Sequence, residues 1–241
     1  MNKVVLITGA TGGIGRAIAH QLAGEGYDLQ LHFHRNKRLA EQLRKKFEAD
    51  KRHVQLFQAD LTQASDIEQM VLSLAPKPDI FVHCAGVSHY GLFADVSRRA
   101  YERLVQLHLT APFTLTQRLL PHMLSRAWGR IIFITSIWGE TGASCEALYA
   151  MVKGGQNALA KSLGKEYASS GVTVNAVAPG AVETDMMASF TDEEIDALCR
   201  QIPAGRMCRP EEIAHLVRFL VSEGSAYMTG QVLRIDGGWL T

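Results

Sequence analysis

The chain holds 241 residues, with 25 Lys and Arg against 24 Asp and Glu, a formal charge of +1, and 47% apolar and 20% charged residues. A chain of this length buries roughly 70% of its unfolded surface in a single core, which excludes both a disordered chain and a scaffold that needs staples. The charge balance argues against a surface built mainly for nucleic acid or anionic membrane.

Strand-like and helix-like segments alternate from end to end, the pattern of a largely parallel sheet covered by helices on both faces. Val4 to Ile7 reads as a buried first strand, followed by a helix with Ile14, Ala17, Ile18 and Leu22 at helical spacing. Leu29 to Phe33 is the second strand, and Leu39, Leu43 and Phe47 mark an amphipathic helix behind it. Val54 to Phe57, a helix over Ile67 to Leu74, and Ile80 to Cys84 come next. A long helical region runs from about Arg99 through Phe113 towards Leu124, with Pro112 expected to bend it. Arg130 to Thr135, a helix over Tyr149 to Ala168, and Val172 to Ala176 follow. Residues 181 to 208 lack a buried strand pattern and read as a helical excursion. A helix over Pro210 to Val221 and a strand over Gln231 to Ile235 end the series. The expectation is one α/β domain over residues 1–241, a Rossmann-type doubly wound parallel sheet of seven strands in three α/β/α layers.

Cys84, Cys145, Cys199 and Cys208 show neither CxxC spacing nor partner histidines at zinc-finger distances, so no metal site is expected. The Val4 to Ile7 run is too short for a signal-peptide core, and no apolar run approaches the ~18 residues of a membrane span. A cytoplasmic location without membrane attachment is the expectation.

Directly after the first strand stands Thr8-Gly9-Ala10-Thr11-Gly12-Gly13-Ile14-Gly15. Glycines here permit positive φ and close backbone approach to a pyrophosphate, and the following helix N-terminus offers unpaired N–H groups. The same residues could simply close a βα turn, but strand, glycines and helix followed by a second βα unit favour a dinucleotide. No Gly-Lys-Ser/Thr follows, so a P-loop is disfavoured. The second strand ends without the acidic side chain that takes ribose hydroxyls in NAD-binding folds. It carries instead His34, Arg35, Asn36, Lys37 and Arg38, a set suited to a 2′-phosphate and hence to NADPH/NADP+. The bland reading of these charges is solvation of a helix start. Asp60, beside Leu61, is placed either to accept from an adenine amino group or to cap the helix beginning near Gln63.

Tyr149 and Lys153 are four residues apart and share one helix face. An ammonium near a phenol favours the phenolate, which would give a proton donor usable near neutral pH for reduction of a carbonyl. Ser136, at the end of a strand, is placed to hold the same carbonyl oxygen. Alone, a Tyr-x-x-x-Lys pair equally fits a packed helix.

Taken together these motifs resemble the short-chain dehydrogenase/reductase family along essentially the whole chain. The matching segments are Thr8–Gly15, Cys84-Ala85-Gly86, Ser136 thirteen residues before Tyr149, Tyr149-Ala-Met-Val-Lys153, Asn175-Ala-Val-Ala-Pro179-Gly180 and Asp236-Gly237-Gly238. The resemblance implies that Ser136 polarises a ketone, Tyr149 donates the proton, and Lys153 tunes Tyr149 and holds the nicotinamide ribose. It implies cofactor contacts from Gly9, Thr11, Gly13, Ile14, Gly15, Asp60, Leu61, Cys84, Ala85, Gly86, Pro179, Gly180, Val182 and Thr184, and a substrate lid over about 183–207. It also implies a homotetramer with faces from the helices around 99–124 and 149–168 and from the C-terminal region with Trp239. Met123, Leu124 and Trp128 are apolar candidates for those faces.

Two positions depart from the family pattern. His108 stands where an asparagine usually takes part in a proton relay to the lysine, and imidazole can either serve that relay or bind backbone. Cys84 replaces the asparagine that secures the sheet beside the cofactor. The broad resemblance is to 3-oxoacyl-[acyl-carrier-protein] reductases, strongest in Val174–Met187 and from Ile202 to Gly230. A narrower one is to the reductase of the 5-aminopentanone group on a lysine of elongation factor P. It is carried by Ser136–Glu146, Gln106-Leu-His108 and Gly238-Trp239. Glu140 and Glu146 bracket the loop before Tyr149, and one of them is expected to pair with a substrate ammonium; both could instead be solvated loop charges. Carrier-protein docking calls for positive charge at the pocket mouth: Arg130 matches one such position, and Ser170 occupies another usually filled by arginine. The ketone carrier is therefore either acyl carrier protein or elongation factor P. A cofactor-binding protein without catalysis is the third reading, opposed by the retained Ser136, Tyr149 and Lys153.

Overall fold

A computed structural model describes residues 2–184, 187 and 190–240. Seven strands form one sheet: β1 (Val4–Thr8), β2 (Asp28–Phe33), β3 (Val54–Gln58), β4 (Ile80–His83), β5 (Gly129–Ile134), β6 (Val172–Pro179) and β7 (Val232–Ile235). Every pairing is parallel, in the order β3-β2-β1-β4-β5-β6-β7. The chain winds outward from β1 to β3, returns to β4 beside β1, and then winds the other way. That reversal opens a crevice above the carboxyl ends of β1 and β4.

Strand side chains alternate between two cores, as a period of two requires. Val5, Ile7, Val82 and Ile132 pack under α1 (Gly13–Gly24) and α9 (Pro210–Val221), joined by Leu43 and Phe47 of α2 (Lys37–Ala49). Leu6, Phe81, Ile131 and Phe133 pack with Ile67 of α3 (Ala64–Ser73), Leu115 and Leu119 of α5 (Ala111–Ser125) and Ala160 of α7 (Ala147–Glu166).

The helical stretch ahead of β5 does not end at Pro112. It comprises α4 (Arg98–Val105), a π turn over Gln106–Thr110 and then α5, which continues from it with Pro112 in its first turn. The irregularity centres on His108. Ahead of α7 a short helix, α6 (Trp138–Thr141), forms the loop after β5. Within the expected lid, residues 185, 186, 188 and 189 lie outside the described residues. The rest contains α8 (Asp192–Gln201), started by a capping box between Thr191 and Glu194. Its neck is closed by a parallel bridge between Val182 and Cys208.

Three expected surface groups are interior or engaged. Met123 is fully buried in the second core. Trp128 lies under Lys3, whose Nζ is 3.4 Å from the ring centroid, and its indole N–H donates to Glu223 at 3.0 Å. Arg130 is only 2% exposed: its guanidinium donates to Gly129 O and Gly171 O and faces Glu223 at 3.6 Å, so it offers no docking charge. A long side chain starting in a central strand reaches carbonyls at the strand edge before it reaches solvent. Leu124 does remain exposed.

Candidate active site

The crevice measures about 870 Å³ and is lined by Thr11, Gly13, Ile14, Gly15, His34, Arg35, Asn36, Asp60, Leu61, Cys84, Ala85, Gly86 and Thr184, all expected from the sequence. Its floor is the turn from β1 into α1. Gly9 has φ +68°, and a Cβ there would stand 2.8 Å from Ala85 Cα. A side chain on Gly13 would meet Thr184 at 2.7 Å, so the glycines keep backbone N–H groups open at the helix N-terminus, a cradle suited to an anion.

A buried histidine absent from the sequence expectations holds this turn. His32 Nδ1 accepts from Gly9 N–H at 3.2 Å, and Nε2 lies 3.1 Å from Ala59 O. A backbone N–H only donates and a carbonyl only accepts, so the ring is neutral with its proton on Nε2. Burial pushes its pKa down to about 4. Beside it, Thr8 Oγ1 accepts from Cys84 N–H and Ala85 N–H and sits 3.0 Å from His83 Nδ1. Thr8 thus secures the segment that the family's asparagine would hold, while the buried Cys84 thiol is pushed up to about 12 and stays protonated.

At the far end, Asn36 caps α2 by accepting from Leu39 N–H. Asp60 caps no helix: its Oδ1 accepts from the backbone and hydroxyl of Thr62, and Oδ2 faces His34 Nε2 at 3.6 Å. Partial burial opposes its ionisation, but the Thr62 hydrogen bonds and His34 hold the carboxyl below the ordinary value. Arg99 and Arg103 of α4 complete this wall and were missed in the sequence. They sit one helical turn apart on one face, which is the signal that could have found them.

Ser136, Tyr149 and Lys153 converge behind Gly86 and His108, beside the crevice and not among its lining residues. Ser136 Oγ accepts from Trp138 N–H at 3.2 Å, and its hydroxyl neighbours the Tyr149 phenol and favours its ionisation. Lys153 is buried; its Nζ donates to Ile134 O at 2.8 Å and to Gln156 Oε1 at 3.3 Å, and lies 5.5 Å from the Tyr149 ring centroid. Burial lowers the Lys153 pKa to about 8. The Tyr149 phenol is not lowered as expected. Burial, reinforced by the charge of Glu146, raises it above the ordinary phenol value and outweighs the Ser136 hydroxyl.

The His108 ring is fully buried, with Nε2 3.0 Å from Val87 O and its edge towards Tyr149 at 5.8 Å between centroids. A Cβ on Gly86 would come within 2.6 Å of that ring. Burial pushes its pKa down to about 3, so at neutral pH it is an uncharged group anchored on backbone. Its backbone carbonyl accepts from Gln156 Nε2 at 2.8 Å.

At the carboxyl end of β6, Pro179 O accepts from Ile137 N–H, Gly180 N–H donates to Ile235 O, and Val182 is buried at the neck of the excursion; none of the three lines the crevice. The two acidic loop residues part company. Glu140 faces Arg234 Nε at 3.5 Å and is tied to β7, beside the edge-on pair of Trp138 and Trp239. Glu146 is half-buried and has no ion-pair partner among the described residues; desolvation raises its pKa, and its charge reaches the hydroxyls of Tyr149 and Tyr90.

Comparison with known proteins places this geometry. A family model described as enoyl-(acyl carrier protein) reductase matches residues 9–240. The uncharacterized oxidoreductase YmfI of Bacillus subtilis is 46% identical, covering 99% of each chain. The 3-oxoacyl-[acyl-carrier-protein] reductase of Aquifex aeolicus is 38% identical over 98% of this chain and 96% of its own. Among solved structures, an actinorhodin polyketide ketoreductase with NADPH superposes with a TM-score of 0.93 at 33% identity, covering 99% of this chain and 97% of that one. A 3-oxoacyl reductase of Agrobacterium tumefaciens with NADP bound gives 0.92 at 29% identity, covering 98% and 93%.

Proposed function

The chain belongs to the short-chain dehydrogenase/reductase family, and from that premise we propose that it is an NADPH-dependent ketoreductase whose ketone carries an ammonium group, the 5-aminopentanone on a lysine of elongation factor P. The observation that carries this reading is Glu146: a half-buried carboxylate with no ion-pair partner among the described residues, beside the proton donor. Such a group disfavours the negative charge that develops on oxygen during reduction. Its presence fits a substrate whose own cation neutralises it.

The crevice fits NADPH. The glycine turn leaves the space that a Cβ would fill, Arg35 and His34 stand where a 2′-phosphate would lie, and no carboxylate terminates β2. When bound there, NADPH supplies a hydride. Ser136 holds the ketone oxygen through its hydroxyl. Tyr149 gives its phenolic proton to that oxygen: the phenol O–H breaks and the alcohol O–H forms. Lys153, as ammonium, stabilises the phenolate left behind. Because Lys153 loses its proton near pH 8, turnover falls above that value, with Tyr149 still protonated.

The second reading, reduction of a 3-oxoacyl thioester on acyl carrier protein, is favoured by the relatives of that name. Against it stands Arg130, whose buried guanidinium leaves one docking position without a usable charge, and Ser170 at the other. A homotetramer belongs to the same proposal, supported by exposed Phe113 and Met151 on α5 and α7. NADPH consumption with elongation factor P bearing the aminopentanone, and with an acetoacetyl thioester, tests the assignment. Turnover of the first at much higher kcat/KM is expected. Turnover of the thioester alone would overturn the substrate, and turnover of neither by folded, NADPH-bound protein would leave a cofactor-binding protein without catalysis.

A further inference from the structure

Lys153 lies in the interior with only a few groups about it. Facing it are His83 of β4, Cys84 just after that strand, His108 of the π turn and Tyr149 on its own helix. None of these carries a negative charge at neutral pH: the histidines are neutral, and the thiol and phenol are raised by burial. The ammonium therefore depends on neutral acceptors, and two are in reach, Ile134 O at 2.8 Å and Gln156 Oε1 at 3.3 Å. Gln156 is itself fully buried, three residues along the helix from Lys153. Its other end donates to His108 O at 2.8 Å. Four residues on from His108 stands Pro112, which has no N–H to offer that carbonyl, and the Gln156 amide supplies the donor instead.

We infer that Gln156 is a positioning residue for the reaction: its amide clamps the Lys153 ammonium to the π turn and closes the inward side of the lysine, leaving the remaining N–H directed to the cleft. The proposal rests on Tyr149 and Lys153 acting as assigned above. A single primary amide matches both ends because it presents an acceptor and a donor on one rigid plane. It passes no proton between them without leaving its stable tautomer. The proton that reloads Tyr149 after turnover accordingly enters from the cleft rather than through the π turn.

The clamp has a signature that packing alone would not produce. In Gln156→Glu a carboxylate faces the ammonium, which holds its proton to higher pH; in Gln156→Leu the ammonium loses an acceptor and gives the proton up sooner. The alkaline limb of the kcat profile should move up by about one to three units in the first variant and down by about one in the second. Thermal melts and NADPH fluorescence confirm that both are folded, and Gln156→Met replaces the leucine variant if that one fails to fold. Limbs that coincide with wild type in folded variants would overturn the clamp. Should wild-type protein reduce neither ketone, the functional assignment falls, and ¹⁵N NMR titration of the Lys153 amine reads the clamp without turnover: opposite shifts in the two variants support it, and an unmoved titration overturns it.

Discussion

On the β1–β3 side of the crevice, the groups turned towards a ligand are mostly backbone N–H donors, and neutral buried side chains hold them in place. His32 fixes Gly9, and Thr8 with His83 fixes Cys84 and Ala85. On the β5–β6 side, the chemistry sits on side chains whose properties burial has shifted: Lys153 down, Tyr149 up, Glu146 up. The first half is a geometric cradle, with Arg35 and His34 as the charged and titratable groups at its far end. The second is a set of charges in a low-dielectric setting, where a single carboxylate or amide changes what the others do.

If that division holds, the two halves break separately. Tyr149→Phe should lower kcat by about 10²- to 10⁴-fold, with NADPH binding by fluorescence nearly unchanged. A parallel collapse of NADPH affinity would erase the division. Acid should weaken the cradle through His32. The unfolded chain protonates His32 near pH 6.5, whereas the folded ring refuses a proton until about 4. Its contribution is therefore complete above pH 6.5 and lost as pH falls through 4, amounting to about 3 kcal/mol. Chemical denaturation at pH 7 and pH 4 checks this, and His32→Gln should remove its share of the difference, with the shares of buried His83 and His108 left in place. Arg35→Glu should weaken NADPH by about tenfold while leaving NADH little affected. Equal losses for the two cofactors would remove the 2′-phosphate from the account.

The seven strands were readable because each is a short apolar run bounded by turn residues, and Tyr149 and Lys153 because four residues make one helical turn. What escaped the sequence depends on partners far along the chain. Glu140 and Glu146 look alike until Arg234, on the last strand, takes one and leaves the other. Arg130 reads as a surface charge until the carbonyls of Gly129 and Gly171 close over it. The clamp by Gln156 escapes notice because the His108 carbonyl and the amide that meets it lie 48 residues apart. The raised phenol of Tyr149 is a sum over burial, Glu146 and Ser136, and spacing to one lysine could not give its sign.

In the proposed function the Glu146 carboxylate selects a cationic ketone. The most direct test of that selection is the ratio of kcat/KM for the aminopentanone-bearing factor to that for an acetoacetyl thioester, in wild type and in Glu146→Gln. The loss of one charge-assisted contact should cut that ratio by about 10- to 100-fold, with thioester reduction held or improved. An unchanged ratio in a folded, active variant would contradict the claim.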